Sequence, residues 1–289
     1  MLSVLEIIQK TTDFFAAKGV ESPRLNAEIL IGHALGLKRM QLYLQFERML
    51  AEAELDKIRP LVRRRGQREP LAYVVGETNF HGLRLKTDRR ALVPRPETEG
   101  LVELVVQTCV PPPARILDLG TGSGCIALAV AQAFPEAQMM AVDASEEALA
   151  LARENTAATG LAARVQFACS DWYAALPAGA QFDAIVANPP YLTATETAET
   201  QPEVRAFEPA MALTAAGEGL AALRAIVAGA PARLAPGGLL ALETGVAQHA
   251  PLLRLLAAAG FRESSSHRDL AGRDRYVLAR GAVLLRPPG

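Results

Sequence analysis

The stretch ILDLGTGSGCIALAV, residues 116–130, restricts the fold more than any other part of the chain. A short apolar run ends at Asp118, three alternating glycines follow, and an apolar helical segment begins at Cys125. Glycines permit a tight turn and a close approach of ligand to backbone, and the free N–H groups of the helix can bind a polar or anionic group. The spacing is GxGxG, because Cys125 stands where the dinucleotide fingerprint requires glycine. The sequence therefore predicts a strand–turn–helix nucleotide site of a different kind from an NAD site.

From about residue 96 onward, strand and helix patterns alternate, which is typical of a doubly wound α/β domain. The predicted strands are Arg115–Leu119, Gln138–Val142, Arg164–Ala168, Phe182–Ala187, Leu239–Glu243 and Tyr276–Ala279. The predicted helices are Cys125–Phe134, Glu146–Thr159, Leu220–Leu234 and Val246–Ala259, with Ser145 as a predicted N-cap.

Two further segments precede the α/β pattern. Residues 1–75 have only helical patterns and no glycine-rich loop, which indicates a small helical domain, with Gly36 as a predicted helix end. Residues 76–95 alternate apolar and polar positions around turn residues and are predicted to form a hairpin linker. The expected domains are therefore 1–75, the linker 76–95 and a catalytic domain, 96–289.

Polar side chains follow the second, third and fourth predicted strands of the α/β domain. Asp143 stands 19 residues after Gly124, where a carboxylate can accept both hydroxyls of a ribose. Asp171 and Trp172 follow the third strand, where an adenine would lie, and Asn188 follows the fourth. A glycine-rich turn alone could be a plain βα turn with capping aspartates, but the three strand ends together indicate a nucleotide site.

The corner Asn188-Pro189-Pro190-Tyr191 ends the fourth strand and is suited to hold a planar amide. The Asn188 side-chain oxygen and the Pro189 carbonyl can each accept one N–H of a substrate –NH₂ group, while the proline rings restrain the backbone. Tyr191 can stack on the flat amide. The alternative is a rigid turn that leaves the strand, as an isolated Asn-Pro often does.

The charge and the cysteines exclude several classes of function. Lys and Arg total 30 against 31 Asp and Glu, so no basic nucleic-acid-binding domain is evident. One basic cluster is present, and it is either a solvated helix end or a docking patch for an acidic or RNA-bound partner. It consists of Arg59, Arg63, Arg64, Arg65 and Arg68.

Cys109, Cys125 and Cys169 lack metal-ligand spacing, so no metal site is expected, and buried free thiols suit a reducing cytoplasm. The N-terminus does not have the pattern of a signal peptide, and no apolar run is long enough to cross a membrane, so a cytoplasmic protein is expected.

DLGTGSG, VDAS and NPPY together resemble the S-adenosylmethionine-dependent methyltransferases of amide and exocyclic amino nitrogens. Further segments resemble the HemK family of protein-glutamine methyltransferases that modify class I peptide chain release factors. They are EPLAYVVGETNFHGL (69–83), LVPRPETE (92–99), FEPAMAL (207–213), LETGVAQ (242–248) and DLAGRDRYV (269–277). The resemblance spans nearly the whole chain.

The resemblance implies a class I, Rossmann-like methyltransferase domain with a helical N-terminal domain that docks the protein substrate. It implies S-adenosylmethionine as cofactor, the glutamine of a Gly-Gly-Gln loop as methyl acceptor, class I release factors as partners, and neither membrane nor direct nucleic-acid binding. The expected cofactor-binding residues are Gly120, Thr121, Gly122, Ser123, Gly124, Asp143, Asp171, Trp172 and Asn188. Asn188, Pro189 and Tyr191 are the expected catalytic residues, and with Pro190 they are expected to bind the substrate.

Two other functions are compatible with these motifs. An adenine-N6 DNA or RNA methyltransferase also places an aromatic residue after Asn-Pro-Pro, beside a flipped base. The second alternative is a binding module, which would bind the nucleotide cofactor but catalyse no reaction. Arg95, Glu97, Thr98 and Glu99 are expected either at the rim of the site or at the start of a helix, and Glu243 at the edge of the pocket.

Overall fold

The computed structural model describes residues 2–281, and the chain within that range divides into two units. The helical unit comprises the chain through Glu77 together with Gln201–Phe207, and the catalytic unit comprises Thr78–Thr200 and the chain from Glu208 onward. This unit differs from the expected catalytic domain, 96–289, in two ways: it begins at Thr78 and so includes most of the predicted linker 76–95, and residues 201–207 pack with the helical unit instead. Residues 282–289 of the expected domain lie outside the described residues.

The helical unit consists of six helices, five of which lie near the N-terminus. They are α1 (Val4–Ala17), α2 (Pro23–Leu35), α3 (Arg39–Tyr43), α4 (Glu52–Gly66), α5 (Leu71–Val75) and, much later in the chain, α10 (Pro202–Phe207). The Ser3 hydroxyl caps α1, and Gly36 ends α2 at φ 67°, a conformation that glycine adopts without strain. Buried side chains such as Ile8, Phe15 and Leu30 form the core of this unit.

The basic cluster, on α4 and just after it, is mostly paired with acids. Arg64 pairs with Glu69 at 2.7 Å, and Arg59 pairs with Asp56 and Glu52, one and two turns earlier in the same helix. Arg65 and Arg68 both bind Glu203 of α10, at 2.8 and 2.6 Å. Acids within the same unit therefore neutralise four of the five arginines, and sequence spacing alone could not show the pairing with Glu203.

The catalytic unit begins with a hairpin and continues as an alternating α/β fold. The hairpin strands are β1 (Glu77–Phe80) and β2 (Leu83–Lys86). The remaining strands are β3 (Arg115–Leu119), β4 (Gln138–Asp143), β5 (Val165–Cys169), β6 (Phe182–Ala187), β7 (Leu234–Glu243), β8 (Glu263–Arg268) and β9 (Asp274–Arg280). The helices are α6 (Pro96–Thr108), α7 (Cys125–Ala133), α8 (Glu146–Thr159), α9 (Ala194–Glu199), α11 (Ala221–Arg233) and α12 (His249–Ala258).

Seven strands form one mixed sheet in the order β5-β4-β3-β6-β7-β9-β8. The first five strands pair in parallel, whereas β9 is antiparallel to both β7 and β8. The strand order reverses between β3 and β6, and ligands of open α/β sheets bind beyond the carboxyl ends of the strands at such a switch point. Gly120 and Asn188 come directly after these two strands.

Neighbouring residues of the central strands bury opposite faces of the sheet, as the two-residue period of a strand requires. Ile116 and Ala184 pack on the side of α6 and α7, while Leu117 and Ile185 pack on the side of α11 and α12. Helices therefore cover both faces, which explains why these strands are apolar throughout. The fold class predicted from the sequence is confirmed.

Two sequence-based expectations about this unit were wrong. Edge strand β8 was not predicted, because its sequence ESSSHR is polar and mostly exposed and so lacks the apolar alternation of a half-buried strand. Cys169 is exposed on edge strand β5, whereas Cys109 is buried and Cys125 is partly buried, so the three thiols do not share one environment. Among residues 2–281, no helix is both long and apolar enough to span a membrane.

Candidate active site

A cleft lies at the carboxyl ends of β3, β4, β5 and β6. Most of the predicted site residues line it: Gly120, Thr121, Gly122, Ser123, Asp143, Asp171, Trp172, Asn188 and Pro190. Residues from two other segments complete it, namely Arg90–Arg95 with Thr98 on one side and Pro209, Met211 and Ala212 on another. The fold therefore brings together side chains that are up to about 120 positions apart in the sequence.

The glycine-rich turn is shaped by backbone conformation. Gly120, Gly122 and Gly124 have φ values of 72°, 56° and 84°, in the left-handed region that other residues rarely adopt. The amides of Gly120 and Thr121 both donate to the Val142 carbonyl, which ties the turn to strand β4. Gly124 does not line the cleft; a side chain there would press against Ala152 of α8, so its small size serves packing.

Asp118, at the end of β3, stabilises the glycine-rich turn through a buried hydrogen bond. It is fully buried, and its Oδ2 accepts a 2.6 Å hydrogen bond from the Thr121 hydroxyl. Its Oδ1 has no hydrogen-bond partner within the described part of the chain. Burial therefore raises the pKa of this carboxyl to about 7, because the ionised form has lost its hydration.

Asp143 at the end of β4 already binds the backbone on two sides. Its Oδ2 accepts from the Gly122 amide at 2.8 Å, and its Oδ1 accepts from the Ser145 amide at 2.9 Å. Burial raises the pKa of Asp143, and these backbone hydrogen bonds oppose the rise. Each carboxylate oxygen keeps a second lone pair, so the group can still accept ribose hydroxyls while it fixes the turn.

The cleft fits a nucleoside-containing cofactor such as S-adenosylmethionine. The Ser123 hydroxyl lines the cleft and is buried, and its oxygen has no partner among residues 2–281, so a ligand can satisfy it. The indole of Trp172 reaches Gly120, where an added Cβ would lie 3.8 Å from the ring, and offers a flat apolar wall. Asp171 and Asp143 also line the cleft and supply acceptors.

Asn188 is held by a chain of side-chain hydrogen bonds. Its Nδ2 donates to the Thr98 hydroxyl at 3.0 Å, and that hydroxyl donates to Glu243 Oε2 at 2.8 Å. Thr98 and Glu243 are buried, and burial raises the pKa of Glu243 to about 7. Within the described residues Asn188 Oδ1 has no hydrogen-bond partner, so this half of the amide remains available to a ligand.

The Tyr191 main chain is held by Gln248. The Gln248 amide nitrogen donates to the carbonyls of Tyr191 and Gly219 at 2.9 and 3.0 Å, and its oxygen accepts from the Gly245 amide at 3.0 Å. One buried side chain thus joins three backbone segments around the NPPY corner. The Tyr191 hydroxyl lies 3.4 Å from an Arg275 nitrogen, and burial raises the pKa of Tyr191 to about 12, which leaves a neutral phenol.

Arg95 connects the PRPETE segment to the segment after the NPPY corner. Its guanidinium donates to both carboxylate oxygens of the buried Glu208, at 2.8 and 2.6 Å. Arg95 and Thr98 line the cleft, whereas Glu97 and Glu99 line a separate hollow of the catalytic unit. Arg95 and Thr98 therefore lie at the site, as one interpretation of PRPETE expected. The segment also starts helix α6 with a proline, as the other interpretation expected.

Pro189 and Tyr191 stand next to lining residues but do not line the cleft themselves. Gln248, Arg275 and Glu208 were not expected at the site. Each occurs in a segment that the resemblance covers, and for Gln248 and Glu208 a polar residue beside apolar neighbours was the available signal, whereas Arg275 stands in a polar run and gave none.

Comparison with known proteins agrees with this geometry. The PrmC N-terminal domain family matches residues 6–76, and the methyltransferase small domain family matches residues 98–263. A release factor glutamine methyltransferase of Cereibacter sphaeroides is 44% identical over 265 residues, covering 92% of this chain and 94% of its own. One of Chlorobaculum tepidum is 40% identical over 282 residues, covering 94% and 95%.

The chain belongs to the release factor glutamine methyltransferase family. It is therefore an S-adenosylmethionine-dependent protein-glutamine methyltransferase, and S-adenosylmethionine is its cofactor. The predicted family, fold and cofactor are confirmed.

Solved structures share the fold. A 16S rRNA methyltransferase of Thermus thermophilus, RsmC, in complex with AdoMet and guanosine, superimposes with a TM-score of 0.51 at 23% identity. It covers 71% of this chain and 49% of its own. The catalytic domain of hMettl16 superimposes with a TM-score of 0.57 at 17% identity and covers 79% and 84%. At these identities the likeness concerns the fold alone.

Proposed function

We propose that this enzyme methylates the side-chain amide nitrogen of the glutamine in the Gly-Gly-Gln motif of class I peptide chain release factors. The observation that carries the proposal is the Asn188 amide, which is fixed through its nitrogen and leaves its oxygen unpartnered at a cofactor cleft. S-adenosylmethionine supplies an electrophilic methyl group, and the protein has to supply an oriented nucleophile.

An amide nitrogen is a poor nucleophile because its lone pair is delocalised into the carbonyl group. Asn188 Oδ1 can accept one N–H of the substrate amide, and the Pro189 carbonyl, which accepts no hydrogen bond from the described residues, can accept the other. Two acceptors fix the positions of both –NH₂ hydrogens. This favours a pyramidal nitrogen whose lone pair faces the methyl group. Catalysis then rests on positioning and on preorganised dipoles rather than on a covalent intermediate.

Tyr191 serves as a packing surface for the substrate amide rather than as a base. Its phenol is neutral at physiological pH, since its pKa is about 12. The Gln248 hydrogen bond to its carbonyl and the Arg275 guanidinium, 6.0 Å from the ring centroid, hold it in place. The phenol cannot remove a proton from the substrate under these conditions, so orientation is the role that its surroundings support.

The helical unit is the expected docking surface for the release factor. Within residues 2–77 it exposes several large apolar side chains, including Met40 at 69% and Leu44 at 84%. Met40 lies in the short helix α3 and Leu44 directly follows it, and exposed apolar groups are common at protein–protein contacts. Internal pairing of four of the five arginines in the basic cluster gives no support to direct nucleic-acid binding by that cluster. Because release factors act on ribosomes, we place the enzyme in the cytoplasm.

Transfer of a labelled methyl group from S-adenosylmethionine tests the function. The purified enzyme is incubated separately with a class I release factor, with the same factor carrying a Gln→Ala change in its Gly-Gly-Gln motif, and with DNA or RNA. We expect label only in the unaltered factor. Label in nucleic acid and none in the factor would support the adenine-N6 alternative, and cofactor binding without transfer to any acceptor would support a binding module.

A further inference from the structure

The three-residue chain Asn188–Thr98–Glu243, which we call the amide relay, joins parts of the catalytic unit that are distant in sequence. Thr98 lies in the first turn of α6, Asn188 follows β6, and Glu243 ends β7. Thr98 is 2% exposed and Glu243 is 1% exposed. Because Thr98 and Glu243 are buried, these two groups have few alternative partners, so the hydrogen-bonding capacity of each limits the arrangement of the relay.

The ionised state of Glu243 determines the direction of every hydrogen bond in the relay. A carboxylate only accepts, so the single Thr98 hydroxyl hydrogen must be donated to Glu243. The Thr98 oxygen can then only accept, so Asn188 must turn its –NH₂ group towards Thr98. The Asn188 oxygen consequently faces away from Thr98, as the acceptor that a substrate amide needs.

A protonated Glu243 removes this constraint. The carboxylic acid can donate to the Thr98 oxygen, which frees the Thr98 hydroxyl hydrogen for the Asn188 oxygen. The Asn188 amide would then be stable in the flipped orientation, with its –NH₂ group towards the substrate. Two –NH₂ groups cannot hydrogen-bond productively to each other, so this orientation is unsuited to methyl transfer.

We propose that Thr98 and Glu243 are positioning residues, and that the Glu243 negative charge holds the Asn188 amide oxygen towards the substrate amide. The inference rests on the function proposed above and assigns two further residues to the same reaction. Neither residue touches the reacting atoms; both act through Asn188.

Several titratable groups surround Glu243 and influence its charge. They are Glu97 beside Thr98 on α6, Tyr191 at the corner after β6, Arg275 and Tyr276 on β9, and Cys125 at the start of α7. Burial is the main reason that the pKa of Glu243 rises to about 7; Glu97 also raises it, and Thr98, Arg275 and Tyr191 oppose the rise. The carboxyl therefore changes charge near neutral pH, and the relay should make methyl transfer faster above this pKa than below it.

Single-turnover rates between about pH 6 and 9, at saturating cofactor and release factor, test the proposal. The wild-type rate should rise with pH as Glu243 ionises. Thr98→Val keeps the shape of the side chain but removes both hydrogen bonds, and should lower the rate about 10²-fold and abolish that rise. Thr98→Ser restores the hydroxyl and should recover the greater part of the rate together with the pH dependence.

Glu243→Gln is the second test, because it retains the size of the side chain and removes the charge. Its rate should be low and independent of pH in this range. Thr156→Val is the matched control. Thr156 is a buried threonine of α8 whose hydroxyl, among residues 2–281, hydrogen-bonds to the Ala152 carbonyl alone, and this change should leave the pH profile unaltered. Cofactor affinity measured by calorimetry should stay near the wild-type value in all four variants.

A wild-type rate and pH profile in Thr98→Val or in Glu243→Gln would overturn the relay. A loss of cofactor binding that accounts for the lower rate would overturn it as well, because Thr98 would then only support the cleft. The same assay separates this outcome from failure of the proposed function: without transfer by the wild-type enzyme to the release factor, the function fails and the relay falls with it.

Discussion

Replacement of Asp118 by asparagine should change how the stability of the protein depends on pH. Asp118 is fully buried, one of its oxygens has no partner among residues 2–281, and its pKa is about 7 against a reference of 3.8. Each pKa unit corresponds to about 1.4 kcal/mol, so the ionised carboxylate costs the folded state about 4 kcal/mol at most.

The sign follows from proton binding. Between pH 3.8 and about 7 the folded state holds a proton on Asp118 that the unfolded state has lost, so stability falls as pH rises through this window. Asp118→Asn cannot titrate. Relative to this variant, the wild-type protein should therefore lose about 4 kcal/mol of unfolding free energy between about pH 4 and 8.

Urea unfolding of the cofactor-free protein at several pH values measures this difference, and circular dichroism and the fluorescence of Trp172, the single tryptophan, report it. Asp171→Asn, at an exposed acid of the same sheet edge, controls for the loss of one negative charge. If the wild-type and Asp118→Asn curves run parallel with pH, Asp118 does not carry a buried ionisation and the reasoning is refuted.

Three further outcomes are expected. Asp143→Ala should weaken S-adenosylmethionine binding by about 1–3 kcal/mol in calorimetry, because it removes an acceptor and two hydrogen bonds that shape the glycine-rich turn. Gln248→Leu leaves three buried backbone groups unpaired and should lower kcat and reduce unfolding free energy by at least about 1–3 kcal/mol, whereas equal stability would show that water replaces the side chain. Met40→Glu combined with Leu44→Glu should raise the KM for release factor with little change in kcat, and an unchanged KM would remove the docking role.

Local sequence signals predicted the elements that carry the site. Strand β3, strand β6 and helix α8 have the predicted bounds, because each combines a clear apolar pattern with a distinct end. Ser145 caps α8 through a hydrogen bond from the Ala148 amide, as predicted. Motifs that follow predicted strands indicate site residues, because a parallel sheet brings the carboxyl ends of its strands together at one edge.

Contacts between distant segments could not be predicted in the same way. The amide relay joins residues 98, 188 and 243, and Arg65 and Arg68 pair with Glu203 more than 130 positions away. Local periodicity contains no information about such partners. The Thr98 hydroxyl, which receives the –NH₂ group of Asn188, lies 90 positions earlier in the chain.

The central claim is that Asn188 orients the substrate amide through its side-chain oxygen. Asn188→Ala removes this oxygen but keeps both prolines and Tyr191, so the corner and cofactor binding should persist. Single-turnover methyl transfer to the release factor, at saturating cofactor, should fall at least about 10²–10³-fold. Asn188→Asp keeps an acceptor but places a second carboxylate on the relay, so it should also be slow. A wild-type rate in Asn188→Ala would contradict the account and leave the NPPY corner as a structural turn.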